Sequence, residues 1–182
     1  MPDKLLLNTC RLICSQTQED DWAFYKELLT SSEVLYYVSD AKSEEEMRAA
    51  FESRLPFWSP ESQHWLCLVV VERSTGKKVG FTGYIHRDND CAEVGFLFAP
   101  EAQGKGYAQE SLKAVCDYAF DEGGIRRLIA TVTAGNTPSR RLLEKTGFIL
   151  EEELHKNYWL RNAWHNDWLF GLLRSDYFSR KY

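Results

Sequence analysis

Two glycines, Gly104 and Gly106, stand between a predicted strand and a predicted helix. Because glycine has no Cβ, backbone amides in such a loop can converge on one anion, and the following helix N-terminus adds about half a positive charge. A pyrophosphate fits this arrangement. Neither of the two common phosphate-binding motifs is present. A Walker motif needs Ser or Thr after its Gly-Lys pair, where this chain has Gly106 after Lys105, and a Rossmann motif needs a third glycine, where this chain has Gln109. A glycine-rich helix entry that binds no ligand is the alternative.

Metal chemistry is not expected from the cysteines and histidines. The cysteines are odd in number and form no C-x-x-C pair, which is typical of reduced, mostly buried thiols in a cytosolic protein. The four histidines show no ligand spacing, so we predict no metal site. These residues are Cys10, Cys14, Cys67, Cys91 and Cys116, and His64, His86, His155 and His165.

Length and charge restrict the class of protein. The chain has 182 residues, which predicts one domain over residues 1–182. The formal net charge of −5 argues against nucleic acid as the main partner, because phosphate backbones are bound by basic surfaces. No apolar run approaches the length of a membrane span, and residues 1–4 do not resemble a signal peptide. We therefore expect a cytoplasmic protein with no membrane partner.

The first half of the chain predicts a strand, two helices and a three-stranded meander. Thr17 is the expected N-cap of the first helix, and Ser43 opens a capping box for the second. Short polar turns join the three later strands, as in an antiparallel meander. The predicted elements are a strand at 5–14, a helix at 18–29, a helix after Ser43, and strands at 65–72, 79–86 and 91–98.

The second half alternates helices and strands. Apolar residues at helical spacing predict a helix over 104–120, and Pro138 and Gly147 mark the start and end of a shorter one. Strands are predicted at 127–133, 148–154 and 167–173. This order indicates an α+β fold, a mixed and mostly antiparallel sheet with helices on both faces, in which 91–133 forms a right-handed parallel crossover.

Three blocks of this sequence resemble the GCN5-related N-acetyltransferases, the GNAT superfamily. Gln103-x-x-Gly106-x-Ala108 is similar to the superfamily's Q/R-x-x-G-x-G/A signature. The stretch from Asn136 to Phe148 resembles its N-x-x-S/A…L-E-K-x-G-F block, and residues 92–98 are similar to its central strand. Further likenesses near Arg11 and in Trp164-x-x-Asp167 point to the subgroup of ribosomal-protein N-terminal acetyltransferases, the Rim type. The resemblance spans roughly residues 5–175.

The resemblance implies a binding site for acetyl-CoA, the acetyl donor. Its pantetheine arm would lie beside the central strand like an added strand, where that strand and its parallel neighbour part. Loop amides would hold the pyrophosphate, with Lys105 either a solvated charge or a phosphate contact. Asn136 would bind the pantetheine amides or else cap the next helix. The implied cofactor-binding residues are Phe96, Leu97, Phe98, Gln103, Gly104, Lys105, Gly106, Tyr107, Ala108, Asn136, Ser139 and Arg140.

Two residues are candidates for proton transfer. Glu93 is the candidate general base, because a carboxylate in a cleft can accept a proton directly or through water. A solvent-facing glutamate is the alternative. Many superfamily members carry a tyrosine acid seven residues after the asparagine, where this chain has Leu143. Ser139 is the remaining candidate acid, and simple hydrogen bonding at the helix start is its alternative.

The acceptor is left open between a protein α-amine and a small amine such as a polyamine, an amino acid or an aminoglycoside. An α-amine needs little acid–base help, which favours a protein N-terminus when the tyrosine is missing. A non-catalytic acyl-CoA sensor is a further alternative. Acidic runs at 44–46 and 151–153 attract a basic acceptor or are simply solvated. The aromatic segment 157–164 is expected either to wall the acceptor mouth or to support a homodimer contact.

Overall fold

One mixed sheet of eight strands organises the chain, and the computed structural model describes residues 3–180. All neighbouring strands run antiparallel except β5 and β6, which are parallel and are joined by the predicted crossover. The strands are β1 Leu6–Asn8, β2 Leu12–Gln16, β3 Leu66–Glu72, β4 Lys78–His86, β5 Cys91–Phe98, β6 Arg127–Thr133, β7 Ile149–Leu160 and β8 Ala163–Leu173, in the order β1-β2-β3-β4-β5-β6-β8-β7.

Helices cover both faces of this sheet, as the α+β pattern predicts. On one face, Phe24 and Tyr25 of the first long helix pack against Phe81 of β4. On the other face, Tyr84 of β4 lies against the end of the crossover helix at Gly123. The helices are α1 Trp22–Thr30, α2 Ser32–Leu35, α3 Glu44–Glu52, α4 Tyr107–Asp121, α5 Thr137–Thr146 and α6 Arg174–Ser179. Within residues 3–180, no helix has the length and apolar character needed to cross a membrane.

The parallel pair β5 and β6 separates along its length. The two strands pair only from Cys91 and Arg127 to Glu93 and Ile129. Beyond that point β5 continues to Phe98 on β4, while β6 continues to Thr133 on β8. The sheet therefore opens in its middle, toward the glycine loop, and the parting of the strands implied by the resemblance is confirmed.

The predicted first strand is wrong, because two strands occupy residues 5–14. A tight turn separates β1 from β2: the amide of Thr9 donates to the carbonyl of Leu12 at 2.9 Å, and the amide of Leu12 donates to Oγ1 of Thr9 at 3.0 Å. The hydroxyl of Thr9 thus accepts the amide of Leu12 in place of a backbone carbonyl on a neighbouring strand. An apolar sequence pattern gives no sign of such a contact.

Two helix starts also differ from the prediction. Thr17 is not an N-cap, because its hydroxyl donates to the carbonyl of Cys67 at 2.9 Å; a 3-10 turn over Glu19–Asp21 precedes α1 instead. Helix α4 begins at Tyr107, since Gly106 has φ +81° and cannot continue a right-handed helix. The capping box at Ser43 and the end of α5 at Gly147 are confirmed.

The last two strands are longer than predicted and meet at a two-residue turn. Arg161 and Asn162 both have positive φ, +50° and +59°, as a type I′ hairpin turn requires. Residues 157–164 are therefore the tip of a β7–β8 hairpin and not a loop between strands. Asn162 was the available sequence signal, because asparagine tolerates this conformation.

Candidate active site

A cleft of about 700 Å³ occupies the opening in the sheet. Three parts of the chain surround it: the end of β5 with the glycine loop and the start of α4 that follow, one face of α5, and the segment around α2. Its wall consists of Glu33, Val34, Tyr36, Tyr37, Val38, Phe96, Leu97, Phe98, Ala102, Gln103, Gly104, Gly106, Tyr107, Ala108, Gln109, Asn136, Pro138, Ser139, Arg141, Leu142 and Lys145.

The glycine loop forms one end of the cleft. Gly104 and Gly106 have φ of +79° and +81°, a region that side chains with a Cβ rarely adopt. A Cβ at Gly104 would meet no atom within 4 Å, so its surroundings are open. Since the first amides of α4 at Tyr107 and Ala108 lack partners within a helix, this end suits an anion.

The cationic side chains at the cleft differ from those predicted. Arg140 lies outside the wall, bound to Glu144 at 2.9 Å and over the ring of Trp168 at 5.0 Å. Lys105 also lies outside it, near a small pocket behind the loop. Arg141 and Lys145 line the cleft instead. Their i, i+4 spacing puts both on one face of a helix and Arg140 about 100° away, but spacing alone does not say which face meets the cleft.

Asn136 and Ser139 lie together on the α5 side of the cleft. Oδ1 of Asn136 accepts a hydrogen bond of 3.3 Å from the amide of Ser139, so Asn136 caps α5. Both residues line the wall of the cleft. Pro138 fixes the first turn between them.

Glu93 lies where the two parallel strands begin to part. Its carboxylate accepts a hydrogen bond of 3.0 Å from Nε of Arg87 and forms an ion pair with the same guanidinium. Glu93 is partly buried and lies outside the wall of the cleft, three residues before Phe96 on β5. Its role as a general base stays a prediction.

The part of the wall formed by the segment around α2 is aromatic and is held by the β7–β8 hairpin. The hydroxyl of Tyr158 donates to the carbonyl of Val38 at 2.8 Å. Nε of Arg161 donates to the carbonyl of Tyr36 at 3.2 Å, and its guanidinium lies 3.9 Å from the Tyr36 ring centroid. The amide of Arg161 also donates to Asp40 at 3.0 Å.

The hairpin tip therefore supports the wall and does not form it. Burial, followed by the charges of Asp40 and Asp167, raises the pKa of Tyr158 and keeps this phenol protonated as a donor. Trp159 and Trp164 at the same tip face solvent, with 50% and 57% of their surface exposed. They pack on each other, with ring centroids 5.4 Å apart, and remain the predicted homodimer contact.

Comparison with known proteins agrees with this geometry. The family model for an acetyltransferase (GNAT) domain matches residues 11–149. The uncharacterized N-acetyltransferase YnaD of Bacillus subtilis is 26% identical over 186 residues, covering 94% of this chain and 98% of YnaD.

Two solved structures share the fold. The spermidine N-acetyltransferase from Vibrio cholerae, in complex with CoA and spermine, is 20% identical with a TM-score of 0.80, covering 93% of this chain and 99% of that one. The ribosomal L7/L12 α-N-protein acetyltransferase RimL, in complex with coenzyme A, is 17% identical with a TM-score of 0.80, covering 93% and 98%. Because the family model spans more than half of the sequence, the chain belongs to the GNAT acetyltransferase family and is an acyltransferase.

Proposed function

We propose that this protein transfers the acetyl group of acetyl-CoA directly to the α-amine of a protein N-terminus, with both substrates bound together. The observation that carries the proposal is the cleft at the opening between the parted strands, whose wall combines the glycine loop, the cations Arg141 and Lys145, and the aromatic residues Tyr36 and Tyr37. The glycine loop and the two cations suit the phosphates of the donor, and the aromatic residues are the candidate contacts of an acceptor.

The residues of the donor side fit acetyl-CoA. Amides between Gln103 and Ala108 would bind the pyrophosphate, and Arg141 and Lys145 would offset its charge. The backbone of Phe96–Phe98 lies along the open side of β5, where the pantetheine arm would pair with it. The amide of Asn136 would complete the pantetheine contacts.

The reaction needs few proton transfers. The neutral amine nitrogen forms a bond to the thioester carbonyl carbon, the carbon–sulfur bond breaks, and CoA leaves as a thiolate. The amine then loses a proton to Glu93, through water, or to solvent, and the hydroxyl of Ser139 protonates the sulfur and recovers a proton from solvent. A thiolate with a pKa of about 8.5 leaves without prior protonation.

The acid–base equipment favours an α-amine acceptor. Leu143 is fully buried in the core, so the position of the superfamily tyrosine cannot supply an acid here. An α-amine, with a pKa of about 7.7–8.0, is partly neutral at pH 7, whereas a lysine at about 10.4 is almost entirely charged. A site that mainly aligns its substrates therefore serves an α-amine better than a lysine.

A small cationic amine is the second candidate acceptor. Glu33 lines the cleft and is exposed, and Tyr37 lines it as well. Arg161 already lies over the ring of Tyr36, so the ring of Tyr37 would be the aromatic contact of a cation. The structural likeness to a spermidine acetyltransferase supports this alternative, as the likeness to RimL supports the protein acceptor.

Labelled acetyl-CoA distinguishes these acceptors. The purified protein is incubated with a cell lysate separated into macromolecules and small molecules, and Ser139→Ala serves as the slowed variant. Label in the macromolecular fraction, at protein N-termini, supports the proposal. Label only in small amines assigns the second candidate, and label in neither fraction, with acetyl-CoA bound, leaves a non-catalytic acyl-CoA sensor.

A further inference from the structure

Arg11, on the turn between β1 and β2, contacts the glycine loop from behind. Its Nη1 donates a hydrogen bond of 2.9 Å to the carbonyl of Lys105. Its guanidinium stacks over the ring of Tyr107, 4.6 Å from the centroid, and a Cβ on Gly106 would lie 3.2 Å from Nη2. The contact joins residues 94 positions apart in the sequence.

This contact fixes the direction of one loop amide. A trans peptide is planar, so the carbonyl of Lys105 and the amide hydrogen of Gly106 point in opposite directions, and residues 3–180 contain no cis peptide. With the carbonyl held on Arg11, the Gly106 amide points away from Arg11. Gly106 lines the cleft and Lys105 does not, so this direction is toward the cleft.

The same side chain offsets a carboxylate close to the loop. Glu110, in the first turn of α4, accepts bonds from Oγ1 of Thr9 at 2.8 Å and from Nε of Arg11 at 3.1 Å. Burial acts to raise the pKa of Glu110, and the hydrogen bonds from Thr9 and Arg11 lower it below the usual value. Glu110 is therefore ionised at neutral pH, and without Arg11 its charge would oppose a phosphate at the loop.

We propose that Arg11 is a positioning residue for the donor: it aims the Gly106 amide at the pyrophosphate and neutralises Glu110 beside it. The inference rests on the proposed function, because it concerns the binding of acetyl-CoA. Arg11 bonds the loop and does not line the cleft, so we expect its effect to be confined to ligands that carry the pyrophosphate.

Two ligands test this role, CoA and pantetheine, which lacks the pyrophosphate. Their affinities are measured by calorimetry and by competition against acetyl-CoA for the wild type, Arg11→Ala, Arg11→Lys and Arg73→Ala. Arg73 is the matched control, because it donates to the carbonyl of Thr9 at 3.0 Å and so holds the same turn without touching the loop.

We expect Arg11→Ala to lower the affinity for CoA about tenfold, which corresponds to the loss of one charge-assisted hydrogen bond. Its affinity for pantetheine should stay within twofold of the wild type. Arg11→Lys should remain at least about threefold weaker for CoA, since one ammonium cannot span both Lys105 and Glu110. Arg73→Ala should change the affinity for neither ligand. Equal losses for CoA and pantetheine, or no loss for CoA, would overturn the inference. Failure of the wild type to bind CoA would instead refute the proposed function.

Discussion

Glu93 and Ile129 form the last pair at which β5 and β6 lie side by side. Beyond that pair the two strands no longer pair with each other, and Phe96–Phe98 at the end of β5 line the cleft. The pair therefore marks the narrow end of the proposed donor site. A group that receives the amine proton has to lie near this end, because the reacting thioester comes last along the pantetheine arm.

The position of Glu93 gives a first prediction. If Glu93 is the general base, Glu93→Gln should lower the rate at saturating substrates about 100-fold and remove the acidic limb of the pH–rate profile. Arg87→Gln, which removes only the ion-pair partner of Glu93, is the control, and its rate should stay within about threefold of the wild-type rate. An unchanged rate and pH profile for Glu93→Gln would eliminate this role.

Asn136 has two functions that substitution can separate. Asn136→Ala should lower the free energy of unfolding by about 1 kcal/mol, because the cap on the Ser139 amide is lost. Asn136→Ser should restore the cap and the stability but not the amide donor. If the amide binds pantetheine, both variants bind acetyl-CoA more weakly than the wild type, by calorimetry. Normal affinity for Asn136→Ser would reduce Asn136 to a cap.

Arg161 should affect only the acceptor side of the cleft. Removing its contacts to Tyr36, together worth about 1 kcal/mol, should speed amide exchange of residues 36–40 about fivefold and raise the acceptor KM. Acetyl-CoA affinity should not change. Asn162→Ala disturbs the same positive-φ turn and is the control. Slow exchange in Arg161→Ala would show that the hairpin does not hold this wall.

The ion pair of Arg11 and Glu110 predicts an acid-dependent stability. Because the native pKa of Glu110 is lowered from about 4.5, its carboxylate stabilises the fold above that pH, and the contribution is lost as pH falls through the native pKa. The Tm difference between wild type and Glu110→Gln should therefore shrink below about pH 4.5. Glu27→Gln, at an exposed position of α1, is the control. A difference that is constant with pH would contradict this assignment.

The elements that carry the site could be predicted because their signals are local. Two glycines before an apolar helical pattern predicted α4, although the helix begins at Tyr107 and not at Gly104, and Pro138 followed by Gly147 predicted the start and end of α5. The parallel crossover follows from handedness rules that apply to any strand–helix–strand unit. The separation of β5 and β6 came from the resemblance, since neither strand's composition shows where its pairing stops.

The rest depends on contacts that sequence spacing does not show. Which arginine of the Arg140–Arg141 pair faces the cleft depends on the rotation of α5, which Leu142 and buried Leu143 set by packing. The partner of Arg11 lies 94 residues away, and the partner of Glu93 depends on a turn rotamer at Arg87. Long side chains at the surface reach several partners, so tertiary packing decides among them.

The most direct test of this account is a calorimetric titration of acetyl-CoA into the wild type, Gly106→Val and Gly124→Val. Both glycines have positive φ, +81° and +70°, so each valine costs about 1–2 kcal/mol of stability. Only Gly106 lies in the proposed donor site. We predict that Gly106→Val binds acetyl-CoA about 100-fold more weakly, which corresponds to the loss of two charge-assisted hydrogen bonds. Gly124→Val should bind acetyl-CoA as the wild type does. Equal affinity in all three proteins, or no binding by any, would contradict the assignment of this cleft to acetyl-CoA.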